Sequence, residues 1–375
     1  MSMSSARVAI VGGGLSGLYA AYLLEQHGLR DYVLLEARSM VGGRITSAGI
    51  ENAFFDARRN RFDLGPAWFW PAFQPELDRL VSDLCLERFE QHGMGDMLVE
   101  RSPHEPPLRT AGYAMSPLSM RLVGGMGALV DALREKLPAA RIVTDRQVHR
   151  LRLSADRIEL DARSSQGQSA TYEAERILIA IPPRLAATSI DFMPSLPAPL
   201  HREWNSTSTW MAAHAKYVAI YDAPFWREQG LSGEARSVAG PLAEIHDASM
   251  LGGQAALFGF LGMPARMRGR LTEEELRVHC RAQLARIFGP AAGHPLADMI
   301  KDWAADPLTA TAADQDDIGG HGGAPSASAQ ASGWSGVLTG IASEWSPHFP
   351  GYLAGAIEAA RLGVQSMTTA ATGAP

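Results

Sequence analysis

The stretch RVAIVGGGLSGLYAAYLLEQHGLRDYVLLEARSMVGGR, residues 7–44, decides how the chain is expected to fold. Residues 8–11 form an apolar run short enough for a strand buried on both faces, and it leads directly into glycines at positions 12, 14 and 17. Apolar residues then recur at helical spacing from Leu15 until Gly28. A second apolar run, residues 32–35, delivers Glu36. The pattern predicts a strand, a glycine turn, a helix and another strand.

Each glycine of the turn has a physical reason to be there. Gly12 permits the tight turn, Gly14 lets the backbone approach a pyrophosphate, and Gly17 lets the helix pack against the strand. The first helical turn, with Leu15 and Ser16, presents free N–H groups and the positive end of the helix dipole to the phosphates. This half of the motif therefore predicts a phosphate-binding site.

The acidic residue after the second strand narrows the choice of cofactor. Glu36 follows the last glycine by roughly twenty residues, where a carboxylate accepts hydrogen bonds from the adenosine ribose. A ribose 2′-phosphate would be repelled, which argues against NADP and leaves NAD and FAD. Ala37, Arg38, Gly43 and Arg44 form a second glycine and arginine element, which suits a longer, more enclosed cofactor.

Several stretches resemble the flavin-containing amine oxidase family, which includes the monoamine and polyamine oxidases. They are GGGLSGL (12–18), LLEARSMVGGR (34–44), DLGPAWFW (63–70), RLVGGMGALVDAL (121–133), ILIAIPPRLAATSIDFMPSLP (177–197), AKYVAIYDAPFWRE (215–228) and ASEWSPHFPGYLAGAIEAA (342–360). The resemblance covers most of the chain in order and is weakest at residues 76–115 and 230–300.

The resemblance implies an α/β fold in which a Rossmann-type FAD-binding domain of the GR2-like flavoprotein kind is interleaved with a smaller α+β substrate domain. The chain of such oxidases crosses between the two domains several times. We expect residues 1–75, 121–200 and 309–375 in the FAD-binding domain, and residues 76–120 and 201–308 in the substrate-binding domain.

The resemblance also implies roles for residues outside the first motif. Lys216 matches the family lysine that holds a water against flavin N5, and Tyr352 matches one aromatic wall of the amine slot. Trp68 or Trp345 is a candidate for the second wall. Further cofactor contacts are expected at Gly65, Pro66, Ala67 and Trp68 beside the flavin ring, Val148 at adenine, Glu344 at the ribityl chain, and Leu353 at the start of a helix that points its positive end at the flavin.

The protein is expected to bind FAD noncovalently. Monoamine oxidases carry a cysteine that bonds to the flavin methyl, whereas this chain has Ala310, Thr311 and Ala312 in that region. The implied reaction is hydride transfer from an amine to flavin N5, which gives an imine or aldehyde while oxygen is reduced to hydrogen peroxide.

Composition fits a cytoplasmic enzyme. The 375 residues are 46% hydrophobic, enough for two domains with sizeable cores, and the net charge of −6 gives no general attraction to nucleic acid or anionic membranes. Two distant cysteines give no disulfide framework, and no signal peptide or apolar run of membrane-spanning length is visible. The expected partners are a small-molecule amine and O2, and a homodimer is left open.

The local patterns give further expectations. Helices are predicted over residues 75–89 and 271–288, the second with Cys280 in its core face, strands over 142–148 and 151–160, and a long loop over 314–332. Arg266, Arg268 and Arg270 are expected to form a solvated surface.

Three rival functions share parts of this pattern. A desaturase or protoporphyrinogen-type oxidase uses the same cofactor domain, and an L-amino-acid oxidase would need an arginine for the substrate carboxylate, which the sequence does not identify. A nonredox flavin protein is the alternative from a different class. No metal-binding motif and no Gly-x-Ser-x-Gly is present, so metal and acyl-transfer chemistry find little support.

Overall fold

The computed structural model describes residues 4–50, 56–112, 116–154, 157–316, 322–330 and 332–372. Its strands are β1 Ser4–Val11, β2 Tyr32–Leu35, β3 Ser47–Ala48, β4 Phe62–Asp63, β5 Arg88–Glu90, β6 Asp96–Glu100, β7 Leu108–Ala111, β8 Met120–Leu122, β9 Ile142–Val143, β10 Gln147–Ser154, β11 Arg157–Arg163, β12 Ser169–Ile179, β13 Asp191–Met193, β14 Ala215–Tyr221, β15 Leu231–Ser237, β16 Leu242–Asp247, β17 Ala255–Leu261, β18 Ala297–Asp302 and β19 Leu338–Gly340. Its helices are α1 Leu15–Gln26, α2 Pro75–Asp83, α3 Gly127–Glu135, α4 Pro183–Ser189, α5 Ala198–Ser206, α6 Phe225–Glu228, α7 Ala265–Arg268, α8 Glu273–Phe288 and α9 Leu353–Thr372. Short 3₁₀ helices occupy Ala139–Arg141, Pro290–Gly293, Trp303–Ala305, Ala312–Asp316 and Ser343–Trp345.

The first sheet is a mixed sheet with parallel strands at its centre. Its order is β13-β10-β11-β12-β1-β2-β9, and β19 also pairs with β12. β1 runs parallel to both β2 and β12, and β12 runs parallel to β19. Helices α1 and α9 pack together against this sheet through fully buried side chains that include Leu18, Leu24, Ile357 and Val364. β9 also runs parallel to β2, so the carboxyl ends of five parallel strands meet at one edge, where such folds bind nucleotides.

The second sheet has the order β18-β14-β17-β16-β15-β6-β7. One of its faces is covered by α8, whose Leu276, Cys280 and Leu284 pack against Tyr217. On the opposite face, Val218 packs with Phe62 and other side chains from the first part of the chain. Because side chains alternate along a strand, Lys216 also points to that inner face, toward the first sheet.

These two sheets confirm the predicted α/β fold with a Rossmann-type domain and a second, mostly antiparallel domain. The chain crosses between the two sheets several times, since strands of the first lie at residues 4–35, 142–193 and 338–340 and those of the second at residues 96–111 and 215–302. The residue limits of the two domains stay a prediction.

Three predicted elements have different bounds in the structure. The helix expected over residues 75–89 ends at Asp83, because Cys85 adopts a left-handed φ of 55° and the chain then turns into β5. The strand expected over residues 142–148 is split, because Asp145 also has a φ of 55°, and Val148 belongs to the following strand, β10. The breaks at Cys85 and Asp145 occur at positive φ, which the apolar pattern does not reveal. The strand expected over residues 151–160 is two antiparallel strands, since β10 ends at Ser154 and β11 begins at Arg157.

The arginine-rich segment was expected to be solvated, and for Arg268 this expectation is wrong. Its side chain is 2% exposed and forms a bidentate ion pair with Asp302, with N–O distances of 2.7 and 2.8 Å. It also donates to the carbonyl oxygens of Met263 and Ala213. Arg268 therefore joins the end of α7 to the end of β18.

The long loop predicted over residues 314–332 is partly ordered by an ion pair. Asp314 is almost fully buried, accepts from Arg184 at 2.5 Å, and lies in the 3₁₀ helix Ala312–Asp316. Residues 317–321 and 331 lie outside the described part of the chain. In the described ranges, no helix combines the length and apolar character needed to cross a membrane, and no group of three His, Cys, Asp or Glu side chains is placed to hold a metal ion.

Candidate active site

A long cavity runs from the carboxyl ends of β1, β2 and β12 to the inner face of the second sheet. Most of the residues expected to contact the cofactor or substrate line it: Gly12, Gly14, Leu15, Ser16, Glu36, Ala37, Arg38, Gly43, Arg44, Gly65, Pro66, Ala67, Trp68, Val148, Lys216, Tyr352 and Leu353. The structure thus brings together residues that are more than 300 positions apart in sequence.

At one end of the cavity, the carboxylate of Glu36 is held in a fixed orientation. Its side chain is buried, Oε2 accepts from the backbone N–H of Gly13 at 2.6 Å, and Oε1 accepts from the backbone N–H of Arg38 at 2.8 Å. Arg146 and Gln147 line the same end beside Val148, and the sequence analysis missed both. This end has the geometry expected for an adenosine ribose.

Two glycine segments face each other next to Glu36. Gly14 and Gly42 form an isolated parallel bridge. Gly43 has a φ of 59°, and a Cβ added there would lie 3.1 Å from the Cα of Gly14, so a residue with a side chain would be both strained and crowded. Gly17 does not line the cavity, and a Cβ added to it would lie 2.0 Å from the carbonyl oxygen of Gly12. Gly17 therefore serves the packing of helix on strand that was predicted for it. Among the described residues, no side chain caps the start of α1, so its first N–H groups are available to an anion.

The two arginines of the second glycine element are ion-paired in the structure. Arg38 donates to both oxygens of Asp306 at 2.9 and 3.0 Å, and Arg44 donates to both oxygens of Glu344 at 2.5 and 3.0 Å. Glu344 therefore lies behind Arg44 and does not line the cavity itself. Its predicted contact with the ribityl chain stays a prediction, and its observed role is to hold the guanidinium in place.

At the other end of the cavity, Lys216 is buried among aromatic rings. Its side chain is 1% exposed, Nζ donates to the carbonyl oxygen of Gly65 at 3.2 Å, and it lies 3.9 Å from the centre of the Phe258 ring and 5.7 Å from that of Phe260. Burial lowers the pKa of Lys216 to about 7, because the charged form loses its hydration. The ammonium thus lies in an apolar, water-poor setting, where charges interact strongly.

Two buried charges that the sequence analysis did not single out lie near Lys216. The negative charge of Asp63 raises the pKa of Lys216 and the positive charge of Arg121 lowers it. Asp63 is fixed through Oδ1, which accepts from Ser47 Oγ at 2.5 Å and from the Met126 N–H at 2.8 Å. Burial raises the pKa of Asp63 above its usual value. Asp63 and Arg121 therefore shift the pKa of Lys216 in opposite directions.

Aromatic side chains from separated segments surround the lysine end. Tyr352 is 36% exposed and meets Trp70 edge to face, with ring centres 6.4 Å apart. Trp68 also lines the cavity, and its Nε1 donates to Gln91 at 2.8 Å. Trp345, the other candidate for a second wall, is not part of the cavity, because it is buried against Trp204 with ring centres 5.1 Å apart. The remaining aromatic lining residues are Trp210, Phe258, Phe260 and Trp303.

The shape and chemistry of the cavity fit FAD. A ribose-binding carboxylate and facing glycines stand at one end, and a buried ammonium with aromatic walls stands at the other. Neither cysteine lies along the cavity, since Cys85 is exposed and Cys280 is buried on the face of α8 that packs on the second sheet, where desolvation raises the pKa of its thiol to about 12. These residues would hold a flavin dinucleotide along the length of the cavity.

Comparison with known proteins also indicates a flavin-binding protein. Residues 108–368 match the family described as flavin containing amine oxidoreductase, and residues 10–84 match the NAD(P)-binding Rossmann-like domain. Putrescine oxidase of Kocuria rosea is 23% identical over 84% of this chain and 85% of its own length. Human amine oxidase [flavin-containing] B is 23% identical over 79% of this chain and 74% of its own length.

The fold is also similar to that of a solved enzyme. Cyclohexylamine oxidase from Brevibacterium oxydans IH-35A superposes with a TM-score of 0.78 at 17% identity, over 98% of this chain and 99% of that one. The family match covers well over half of the chain and includes both the lysine and the C-terminal helix of the cavity. The chain therefore belongs to the flavin-containing amine oxidase family and is an FAD-dependent oxidoreductase that acts on amines.

Proposed function

We propose that the protein holds FAD noncovalently in the long cavity and oxidises a neutral small-molecule amine, with O2 as the electron acceptor and hydrogen peroxide as a product. The observation that carries the proposal is the position of Lys216. Its ammonium lies at the aromatic end of the cavity, opposite the carboxylate of Glu36. Bound FAD supplies the redox chemistry, by accepting a hydride from the carbon next to the amine nitrogen.

The nucleotide end of the cavity positions the cofactor. Glu36 would accept from the ribose hydroxyls, and the open N–H groups at the start of α1 would bind the pyrophosphate. Leu353 opens α9 at the other end, so the positive end of that helix faces the cavity and would stabilise negative charge there. The protein thus contributes placement and electrostatics along the whole length of the cofactor.

The aromatic end selects the form of the substrate. Trp68, Phe258 and Tyr352 present apolar surface beside Lys216 and keep water away from the reacting end. An amine enters such a site more readily in its neutral form, because burying an unpaired ammonium is costly. A lysine with a pKa near neutrality changes its own charge at little cost, and its charged form would stabilise the anion that forms as oxygen is reduced.

The location and the assembly of the protein are further proposals. Both cysteines are free and Cys85 is exposed, which suits a reducing compartment, and we place the protein in the cytoplasm. The homodimer left open by the sequence is tested by light scattering on the purified protein.

Anaerobic mixing with a panel of amines tests the proposed reaction. We expect the visible absorption band of oxidised flavin to disappear with at least one amine, and to return with peroxide formation when air is admitted. Reduction by a tetrapyrrole or lipid and not by amines would favour a desaturase or protoporphyrinogen-type oxidase. Reduction confined to amino acids would favour an L-amino-acid oxidase. A flavin that no substrate bleaches would point to the nonredox alternative.

A further inference from the structure

A second, open groove adjoins the aromatic end of the cavity. Its lining comes from the turn before α2, a segment preceding β8, and the approach to α9. The apolar lining residues are Trp70, Phe73, Pro117, Phe349 and Tyr352, and the polar ones are Gln74, Ser116 and Ser119. Trp70 and Tyr352 also line the long cavity. This pair of rings, which meet edge to face, therefore belongs to the wall of both spaces.

The groove exposes aromatic surface that the fold itself does not use. Phe73 is 61% exposed, although phenylalanine loses favourable free energy by remaining in water. A single exposed apolar residue is ordinary, but here the ring continues a surface that begins at Trp70 inside the site. An apolar group attached to the reacting amine would cover this surface.

The described lining of the cavity and the groove contains one carboxylate, Glu36. That carboxylate lies at the nucleotide end and already accepts from two backbone N–H groups. A second ammonium on the substrate would therefore reach the groove without an anionic partner. An ammonium that loses part of its hydration against the apolar side chains of the groove gains no counter-charge there, so the lining opposes a diamine and accepts an uncharged substituent.

We propose that the groove is a substrate subsite for an apolar, uncharged substituent, so that the protein prefers monoamines carrying an aromatic or long alkyl group over α,ω-diamines. The proposal rests on the proposed amine oxidation and adds to it the class of substrate. It separates this chain from its relative putrescine oxidase, whose name gives a diamine substrate.

The first test compares 2-phenylethylamine, propylamine and 1,4-diaminobutane as substrates of the purified holoenzyme. In the wild type, we expect kcat/KM to be highest for 2-phenylethylamine and lowest for the diamine. Phe73→Ala should lower the ratio of kcat/KM for 2-phenylethylamine over propylamine by about tenfold, because the truncated residue no longer covers the phenyl group. Leu251→Ala, at a residue that is 52% exposed and lies outside both linings, is the matched control and should leave the ratio unchanged.

The second test introduces a carboxylate into the lining of the groove. Gln74 is buried in the groove lining, and its Oε1 accepts from the Trp70 N–H at 3.1 Å, a bond that Gln74→Glu keeps. This variant should raise kcat/KM for 1,4-diaminobutane by about tenfold relative to propylamine. Retained flavin colour and an unchanged unfolding midpoint verify that each variant is folded.

The outcomes separate this proposal from the one on which it rests. If no amine reduces the flavin, amine oxidation itself fails. If amines reduce it but the wild type accepts the diamine as well as the phenyl amine, the subsite is wrong and the proposed reaction stands. An unchanged ratio in folded Phe73→Ala would also overturn the subsite.

Discussion

The Lys216 ammonium lies 3.9 Å from the centre of the Phe258 ring, on the strand that pairs directly with its own. The negative face of the ring attracts the cation and offsets part of the cost of burying it. Phe260 lies directly opposite Lys216 in the register of the same two strands. The sheet therefore fixes the position of this charge more firmly than a loop would.

Replacing Lys216 with Met should slow reoxidation of reduced flavin by oxygen by at least about tenfold, because the buried cation no longer stabilises the developing anion. FAD affinity should change much less. Stopped-flow mixing of the reduced enzyme with oxygen measures the rate. Lys301→Met is the matched control, since Lys301 is the register partner of Lys216 on β18 and pairs with Asp306. Equal oxygen rates in wild type and Lys216→Met would remove the lysine from the mechanism.

Replacing Asp63 with Asn should move the pH dependence of reoxidation to lower pH. Asp63 raises the pKa of Lys216 from the low value that burial imposes, so its neutral substitute lets that pKa fall further below about 7. The protonated lysine, and the rate that depends on it, are then lost at a lower pH. Asp131→Asn, at an exposed aspartate paired with Arg61, controls for the loss of a charge elsewhere. An unmoved pH profile would show that Asp63 does not act on Lys216.

Replacing Glu36 with Ala should weaken FAD binding about tenfold or more, because hydrogen bonds to a charged, buried carboxylate are lost. Fluorescence of released flavin during dilution gives the dissociation constant. Glu175→Ala removes a glutamate at the surface of the same sheet and should leave FAD affinity as in the wild type. Identical affinities in both variants would contradict the ribose assignment.

Replacing Arg268 with Met should lower the free energy of unfolding by about 3–5 kcal/mol, because Asp302 is left without its charged partner. Urea unfolding followed by circular dichroism measures the change. Arg270→Met, two residues away and exposed, should change stability by no more than about 0.5 kcal/mol. If Arg268→Met lowers the free energy of unfolding no more than Arg270→Met does, the ion pair contributes little to stability.

Acid precipitation should leave the yellow flavin in the supernatant. The cavity lining contains no cysteine in the described chain, and Ala310 occupies the region where monoamine oxidases carry one. Absorbance of the pellet and the supernatant is the readout. A yellow pellet would demonstrate a covalent bond and contradict the proposal.

The first motif was predictable because its signals are local. A buried strand, a glycine turn and a helix follow one another within residues 4–26, and each is specified by its own residues. Gly17 illustrates this, since its predicted packing role is visible as a 2.0 Å clash for any added Cβ. The local pattern alone did not predict that Lys216 is buried, because a lysine that begins a strand is usually solvated. Only the family resemblance placed it inside.

The remaining parts of the site depend on contacts between distant segments. Trp70 reaches the cavity from the segment between β4 and α2 and Phe258 from β17, and no spacing in the sequence relates them. The same cause explains the errors at Trp345 and Arg268. An isolated tryptophan does not reveal which ring it will pack against, and a run of arginines does not reveal that one of them meets Asp302.

The two ion pairs of the second glycine element have a consequence for biosynthesis. Arg38 and Arg44 emerge from the ribosome early, whereas their carboxylate partners, Asp306 and Glu344, are made almost 270 and 300 residues later. Until then the nascent nucleotide motif carries two guanidinium groups without their native counter-charges. The nucleotide motif therefore cannot form both ion pairs until residue 344 has been synthesised, and a ribosome stalled before that residue would present the motif with its two arginines unpaired by these carboxylates.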